Sequence, residues 1–361
     1  MKEKINSIQF TSTFILCIIS SSIGLSLYTT IKIASIDSYI SVVIGSILGL
    51  IPLILFLYIF NYQIDAPIYK KNTLIFGKIF GNIINIIITI LYLIIGITIL
   101  FNLGNFIVSQ YLSETPLLLI LIVLGLTIFY IINKGIETIT RVSSIFIVIV
   151  IFSFIFSFIY LFQEIKLDNL KPILEFGLKK PLLGGFVNML ITTSPIFTLL
   201  IFPKENITDK EKITKYIIIG YIISAIIIFL ISFLSNAILG KYLIKLYQYP
   251  GYISLKKISL FNFIDRIENF LSIHWILSCF ICLSIILYYI KTNIKRKGNS
   301  KLLNIFLCII VIILSYNIFK NNTQFNNYIY MYYPYILLTL LIIYIIIALS
   351  IIIKKKITKK K

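Results

Sequence analysis

The 361-residue sequence has few acidic residues, with 13 Asp and Glu against 33 Lys and Arg, and it has a single histidine. Enzymes of the hydrolytic, redox and metal-dependent classes need clusters of titratable or metal-ligating side chains. One histidine, no phosphate-binding glycine loop and no metal-spaced His/Glu set leave little from which to build such a cluster. The sequence therefore predicts no enzyme, no catalytic residues, no metal site and no cofactor.

Hydrophobic residues, by contrast, make up 59% of the chain, and the mean hydropathy is +1.01. Apolar runs of roughly 20 residues recur, and each is long enough to cross a hydrocarbon core of about 30 Å. The sequence predicts an all-α integral membrane protein that forms a single transmembrane domain over residues 1–361. Ten spans are predicted, at 8–30, 39–61, 80–111, 115–133, 142–162, 182–203, 213–239, 272–290, 302–319 and 332–353.

The formal net charge of +20 is typical of nucleic-acid-binding proteins, but the lysines lie between apolar spans and not on one folded face. Nucleic acid is therefore excluded as a partner, and the lipid bilayer takes its place. With ten spans both termini share one side, and 22 of the 33 basic residues fall on that side. Because basic residues accumulate in cytoplasmic loops, both termini are predicted to be cytoplasmic.

The middle of each predicted span lacks ionisable residues, since Asp37, Glu114, Arg141 and His274 all fall at predicted ends. Proton-driven carriers usually keep such a group at depth as a relay. Its absence disfavours proton coupling and favours a neutral or zwitterionic ligand. Sodium coupling through serine hydroxyls stays open.

Two spans contain weak helix formers at half depth. The first span is interrupted at Ser20–Ser26 in "CIISSSIGLSLYTT", and the sixth at Thr192–Pro195. Ser194-Pro195 is typical of a helix start, with serine as N-cap and proline as the first helical residue. Interrupted spans at matching positions of two halves predict a transporter-like five-plus-five inverted repeat, about 8–162 and 182–353, with broken helices 1 and 6.

Unwinding at Ser21–Gly24 would free N–H groups that favour an anion such as a substrate carboxylate, while hydroxyls and carbonyls take an ammonium. An alternative reading is that the small residues pack helices and bond back to their own preceding turn without unwinding. The two interruptions supply the predicted binding residues Ser20, Ser21, Ser22, Gly24, Thr192, Thr193, Ser194 and Pro195.

The longest connection, 240–271, is rich in aromatic residues, including Tyr249, that predict an element lying along the membrane interface. It ends in the charged group Asp265, Arg266 and Glu268, followed by His274-Trp275 as an interfacial pair. A planar, bidentate arginine suits contact with a partner's carboxylate. The group is therefore predicted to contact a partner, although pairing within the loop and a solvated helix end are equally compatible with it.

Several stretches over residues 5–353 together resemble the B subunit of endospore nutrient-germination receptors, a branch of the amino acid–polyamine–organocation superfamily. They include "SIQFTSTFILCIISSSIG", "FGKIFGNIINIIITILYL", "NKGIETITRVSSIF" and "YPGYISLKKISLFNFIDRIENFLSIHWI". The resemblance implies a subunit in the spore inner membrane of an endospore-forming bacterium. It also implies an A subunit and a lipoprotein C subunit as partners, and a nutrient pocket closed by Tyr92, Gly96 and Ser278.

The predicted function is thus a sensor on a transporter scaffold, in which an amino acid or similar nutrient shifts two conformations and triggers germination. A secondary transporter for amino acids or polyamines is the main alternative. A structural or pore-forming subunit that binds no nutrient is the second.

Overall fold

The computed structural model describes residues 4–175, 177–256, 268–294 and 301–359, with side chains to residue 357. These residues are mostly α-helical, as predicted from the sequence, with short 3₁₀ segments and one π-helical turn, Ser22–Ser26, between the α-helices. The helices are α1 (Ser7–Ser20), α2 (Leu27–Ala34), α3 (Ser38–Leu48), α4 (Leu50–Phe60), α5 (Ile68–Phe76), α6 (Lys78–Gln110), α7 (Leu117–Lys134), α8 (Ile136–Gln163), α9 (Lys179–Thr193), α10 (Ile213–Leu243), α11 (Pro250–Lys256), α12 (Glu268–Ile294), α13 (Lys301–Ile318), α14 (Asn322–Met331) and α15 (Tyr333–Lys359).

The first apolar segment, Ser7–Phe60, contains two spans. Its 54 residues would extend about 80 Å as one helix, more than twice the hydrocarbon thickness. Ser26 Oγ donates a hydrogen bond to Asn188 Oδ1, and a Cβ on Gly45 would lie 2.4 Å from Asn188 Nδ2. Ser26 and Gly45 can both contact the Asn188 side chain only if the chain folds back between them. It does so near Ser35, which has φ +55°.

Eight further helical segments of the described residues are long and apolar enough to cross a membrane, which confirms the ten predicted spans. An even number of spans places both termini on one side, here called the terminal face, and the other side is the opposite face. The span start that differs most from prediction is that of α8, which begins at Ile136 and not at residue 142. Neighbouring helices bury most of α12, so it tolerates polar residues that a lipid-facing helix would exclude.

The two interrupted spans lie inside the bundle. α1 packs against α8, α10 and α12, while α9 packs against α2 and α3. Small residues let α3 and α9 approach closely, as is common between membrane helices. These residues are Ser41, Gly45, Gly184 and Gly185.

Lysines cap helix C-termini on the terminal face. Lys71 Nζ donates to the carbonyl oxygens of Ile59 (2.8 Å) and Phe60 (3.3 Å) in the last turn of α4. Lys291 Nζ donates to Ile132 O at the end of α7, at 3.4 Å, and Lys354 Nζ donates to a carbonyl of α5. Because the last carbonyls of a helix lack partners within the helix, these lysine donors satisfy them, and part of the lysine excess on this face is structural.

Lys71 gives a testable pH dependence. The residue is 1% exposed, and burial lowers its pKa to about 7, although the Asp65 carboxylate opposes this shift. The unfolded chain keeps its lysine proton to about pH 10.5, so between pH 7 and 10.5 it binds more protons than the folded protein. Folding stability therefore rises with pH across this window.

We expect the thermal midpoint of the purified protein in detergent to rise from pH 7 to pH 9, and Lys71→Met to lose this rise. Lys210→Met, which removes an exposed lysine on the same face, is the matched control and keeps it. Equal pH slopes in the Lys71 variant and the wild type would contradict the assignment.

Candidate functional site

The first-span break, residues 21–26, is a true interruption of the helix. Ile23 adopts φ −87° and ψ 133°, and Gly24 adopts φ 76° and ψ −19°, before α2 resumes at Leu27. A left-handed conformation costs an L-residue about 1–2 kcal/mol. A Cβ on Gly24 would also lie 2.7 Å from Tyr249 Cε1 and 2.8 Å from Asn102 Oδ1. Glycine is therefore required here twice over, by conformation and by space.

Neighbouring helices take up the carbonyl groups that the break releases. Ser20 O accepts hydrogen bonds from Trp275 Nε1 at 2.9 Å and from Cys279 Sγ at 3.3 Å, both on α12. Ile23 O accepts one from Asn102 Nδ2 of α6, at 3.3 Å. The sequence predicted that freed carbonyls would face a ligand, whereas these two bind the protein itself.

An aromatic lid, which consists of Phe106, Tyr249, Tyr252 and Trp275, covers the break toward the opposite face. The Phe106 ring centroid lies 4.9 Å from that of Tyr249 and 4.7 Å from that of Trp275. The Tyr249 hydroxyl accepts from Asn105 Nδ2 at 3.0 Å and donates to Asn102 O at 3.3 Å. Tyr249 is thus fixed over Gly24 by both its ring and its hydroxyl.

The interfacial role predicted for Tyr249, His274 and Trp275 is wrong. They are 3%, 0% and 0% exposed, respectively, and pack inside the protein. An alternation of aromatic and polar residues is compatible with either a membrane surface or an internal cluster, so the pattern alone did not separate the two.

The sixth span changes its winding at the predicted position. The α-helix α9 ends at Thr193, and Ser194–Ile201 continue as a 3₁₀-helix with Pro195 at its start. The backbone becomes extended at Phe202. The predicted N-cap role of Ser194 is wrong, because its Oγ donates back to Leu190 O at 2.5 Å and caps nothing.

Most of the predicted hydroxyls are bonded to their own helix, as the alternative reading of the sequence held. Each donates to a carbonyl three or four residues earlier, which satisfies it without a ligand. The pairs are Ser20–Cys17, Ser22–Ile19, Thr192–Asn188, Thr193–Met189, Ser194–Leu190 and Ser278–His274. The predicted residue Ser21 is different, because its buried Oγ has no hydrogen-bond partner among the described residues.

Two predicted residues on α6 have distinct roles. The Tyr92 hydroxyl donates to Ser194 O at 3.2 Å and lies 3.3 Å from the Tyr344 hydroxyl, so it connects α6 to the sixth span. Gly96 faces α12, where an added Cβ would lie 3.3 Å from Ile286 Cγ2. Gly96 therefore permits close packing between helices.

The predicted site is closed in this structure. The serines and threonines of both interruptions are at most 5% exposed, and Tyr92 and Ser278 are fully buried. Since Tyr249 contacts Gly24 directly, a solute from the opposite face reaches the break only when Tyr249 moves. Assignment of these residues to nutrient binding stays a prediction.

The predicted partner contact falls mostly on residues outside the described part of the chain, where Asp265 and Arg266 lie. Glu268 is described, and it begins α12 with 7% of its surface exposed.

Three residues at this site were not predicted to belong to it. Asn102 and Asn188 are amides within apolar spans, and each bonds a broken span through Ile23 O or Ser26 Oγ. Polar side chains in membrane helices commonly bond across helices, which is the signal that identifies them. Tyr249 had no such signal, because its contact with Gly24 depends on how the loop before α11 folds.

Comparison with known proteins relates this geometry to a family. The family model described as "Spore germination protein" matches residues 4–326. The chain belongs to this family. It is 24% identical to spore germination protein XB of Bacillus anthracis over 77% of this chain and 78% of that protein. It is 23% identical to spore germination protein KB of Bacillus subtilis, over 82% and 81% respectively.

Solved structures with the same fold are transporters. A manganese transporter of Eremococcus coleocola, crystallised as a point mutant, matches with a TM-score of 0.62 at 14% identity, over 95% of this chain and 78% of that chain. A second point mutant of that transporter matches with the same TM-score of 0.62, at 13% identity. The predicted transporter-like fold with broken helices 1 and 6 is confirmed, and the chain is a multi-pass membrane protein of spore-forming bacteria that acts in germination.

Gly24 provides the direct test of the break. We expect Gly24→Ala to reduce the germination response to nutrient at least tenfold, because the new Cβ collides with Tyr249 and Asn102. The larger Gly24→Leu should abolish the response while the protein remains inserted and abundant. The measurement is optical-density loss of spores against nutrient concentration, with immunoblotting for abundance.

Gly77→Ala is the matched control. Gly77 has φ 80° and ψ 173°, a region that is essentially restricted to glycine, but a Cβ there meets nothing within 4 Å. This variant therefore carries backbone strain without crowding, and we expect a response near that of the wild type. Equal loss in the Gly24 and Gly77 variants would attribute the effect to strain alone.

Proposed function

We propose that this chain is the membrane subunit of a nutrient-germinant receptor and binds an amino acid or similar small nutrient at the first-span break. The nutrient binds one of two conformations more tightly and shifts the balance between them, which is the signal. The proposed function needs no catalytic step.

The observation that supports this proposal is a helix break, buried in the bundle, that is held by uncharged hydrogen-bonding groups. Asn102 contacts the break through Ile23 O and the lid through Tyr249, so it connects the two. A nutrient with both donors and acceptors can replace these bonds and also satisfy Ser21 Oγ, which has no partner in the closed structure. Displacement of Tyr249 then transmits binding to the loop before α11.

The A and C subunits of the receptor are the proposed partners, and the spore inner membrane is the proposed location. With both termini cytoplasmic, the lid and the loop between α10 and α12 lie on the outer side. The nutrient then arrives from the side that the lid covers, and we propose that another subunit contacts the same side.

Replacing Asn102 tests the binding role. We expect Asn102→Leu to raise the nutrient concentration for half-maximal germination by about tenfold or more, since a net hydrogen bond contributes roughly 1 kcal/mol. The Asn102 side chain donates to Ile23 O and accepts from Gln248 and Tyr249. Asn317→Leu, at an exposed amide of α13, is the matched control and leaves that concentration unchanged. An unaltered nutrient requirement in the Asn102 variant would exclude this residue from the site.

Exchange of subunits between receptors tests the receptor role itself. Spores that carry this chain with the A and C subunits of a receptor of different preference should follow the nutrient preference of this chain. Preference that stays with the A subunit would overturn the proposal.

A secondary transporter is the second candidate, and the likeness to transporter structures favours it. Purified protein in proteoliposomes would then exchange a labelled amino acid or polyamine against an unlabelled internal pool. Counterflow above that of protein-free vesicles would support transport. Its absence, together with an intact nutrient response, would exclude the transporter and support the receptor.

A further inference from the structure

We propose that a groove between α6, α12 and α13 is a binding site for an anionic phospholipid of the terminal-face leaflet. This lipid-binding role goes beyond nutrient sensing and does not depend on it. The groove lies in the half of the membrane next to the terminal face, because it involves the start of α6, the end of α12 and the start of α13. Its volume is about 770 Å³.

A polar ladder follows one face of α6 into this groove. Lys78, Asn82, Asn85 and Thr89 are spaced by four, three and four residues, which places them on one side of the helix. Ile90 and Leu93 continue the lining toward the membrane centre, opposite Phe306 of α13. From the surface inward the order is cation, amide, hydroxyl and hydrocarbon, which matches the phosphate, glycerol and acyl chains of a phospholipid.

Amide and hydroxyl side chains form the polar part of the groove. Asn85 is bonded internally, since its Nδ2 donates to Tyr69 O at 3.1 Å and its Oδ1 accepts from Asn72 at 2.8 Å. Asn293 Nδ2 of α12 donates to Thr89 Oγ1 of α6 at 3.3 Å, across the groove. Asn82 and Thr89 are half-buried in the lining, so a headgroup in the groove can reach them.

Charge complementarity selects an anionic lipid. Lys78 and Lys301 are both exposed, one at the start of α6 and one at the start of α13, and each begins a helix that lines the groove. In the predicted orientation this leaflet is cytoplasmic and rich in anionic lipids, to which a nearby lysine adds about fivefold in affinity. Phosphatidylglycerol combines a phosphate for the lysines with hydroxyls for the half-buried Asn82 and Thr89.

Such a lipid would join two helices that hold the first-span break. Asn102 of α6 and Trp275 of α12 both bond its carbonyls, and the groove lies between the other ends of these same helices. Lipid in the groove therefore stabilises the arrangement of α6 and α12 seen in the closed structure.

The full-length protein, purified in detergent, allows a direct test with two lipids. Native mass spectrometry counts retained lipid, and thermal shift is followed while phosphatidylglycerol or phosphatidylcholine is added. We expect phosphatidylglycerol to be retained and to raise the thermal midpoint, with phosphatidylcholine much weaker. Lys78→Gln and Lys301→Gln should each weaken the phosphatidylglycerol effect about fivefold.

Two further variants separate site binding from general surface charge. Lys210→Gln removes an exposed lysine on another part of the terminal face and should retain wild-type lipid binding. Ile90→Trp fills the groove without altering charge and should abolish retention of the lipid, with a photoreactive phosphatidylglycerol analogue no longer crosslinking to α6 or α13.

The proposal is overturned if the two lipids act equally, or if Lys210→Gln weakens binding as much as Lys78→Gln. It is also overturned if a photoreactive lipid labels other helices and leaves α6 and α13 unlabelled, or if a protein segment is found crosslinked in the groove. A variant that lowers the lipid-free thermal midpoint is judged by the crosslinking pattern alone.

Discussion

Backbone carbonyls released inside a membrane bundle must find donors, and this requirement explains much of the architecture around the first span. The break at Ile23 and Gly24 is tolerated because Asn102 of α6 and Trp275 of α12 donate to it. These donors fix the two helices against α1, and Tyr249 is fixed in turn by the same Asn102. Broken backbone, donor amide and aromatic lid thus form one connected unit, in which no member moves without changing the others.

Features that depend on local interactions were predicted from the sequence, and features that depend on contacts between distant residues were not. Apolar run lengths gave ten spans, and Gly24 within a serine run gave the first break, because both are local consequences of hydropathy and backbone conformation. Ser194 and Pro195 marked where the sixth span changes its winding. They did not indicate that the chain forms a tighter 3₁₀-helix there and does not unwind. The distinction depends on carbonyl partners such as Tyr92, which lies 102 residues away in sequence.

Residues that act across helices were the ones missed. Asn188 reaches Ser26 from another span, and no periodicity within one segment reveals such a pair. Lysine placement was interpreted through membrane orientation, yet Lys71 and Lys291 also bond the carbonyl ends of α4 and α7. Lysine on this face therefore both sets the membrane orientation and binds helix carbonyls. A count of lysines in the sequence does not separate these two roles.

The 3₁₀ winding of Ser194–Ile201 has a mechanical consequence. Eight residues rise about 2.0 Å each in this form and about 1.5 Å each as α-helix, so rewinding them shortens the segment by about 4 Å and turns its far end. Phe197 stacks on Tyr344 of α15 with ring centroids 4.2 Å apart. Rewinding of this segment would therefore also displace the contact with α15. A change of winding in the sixth span would therefore move its end by a distance comparable to one helical turn.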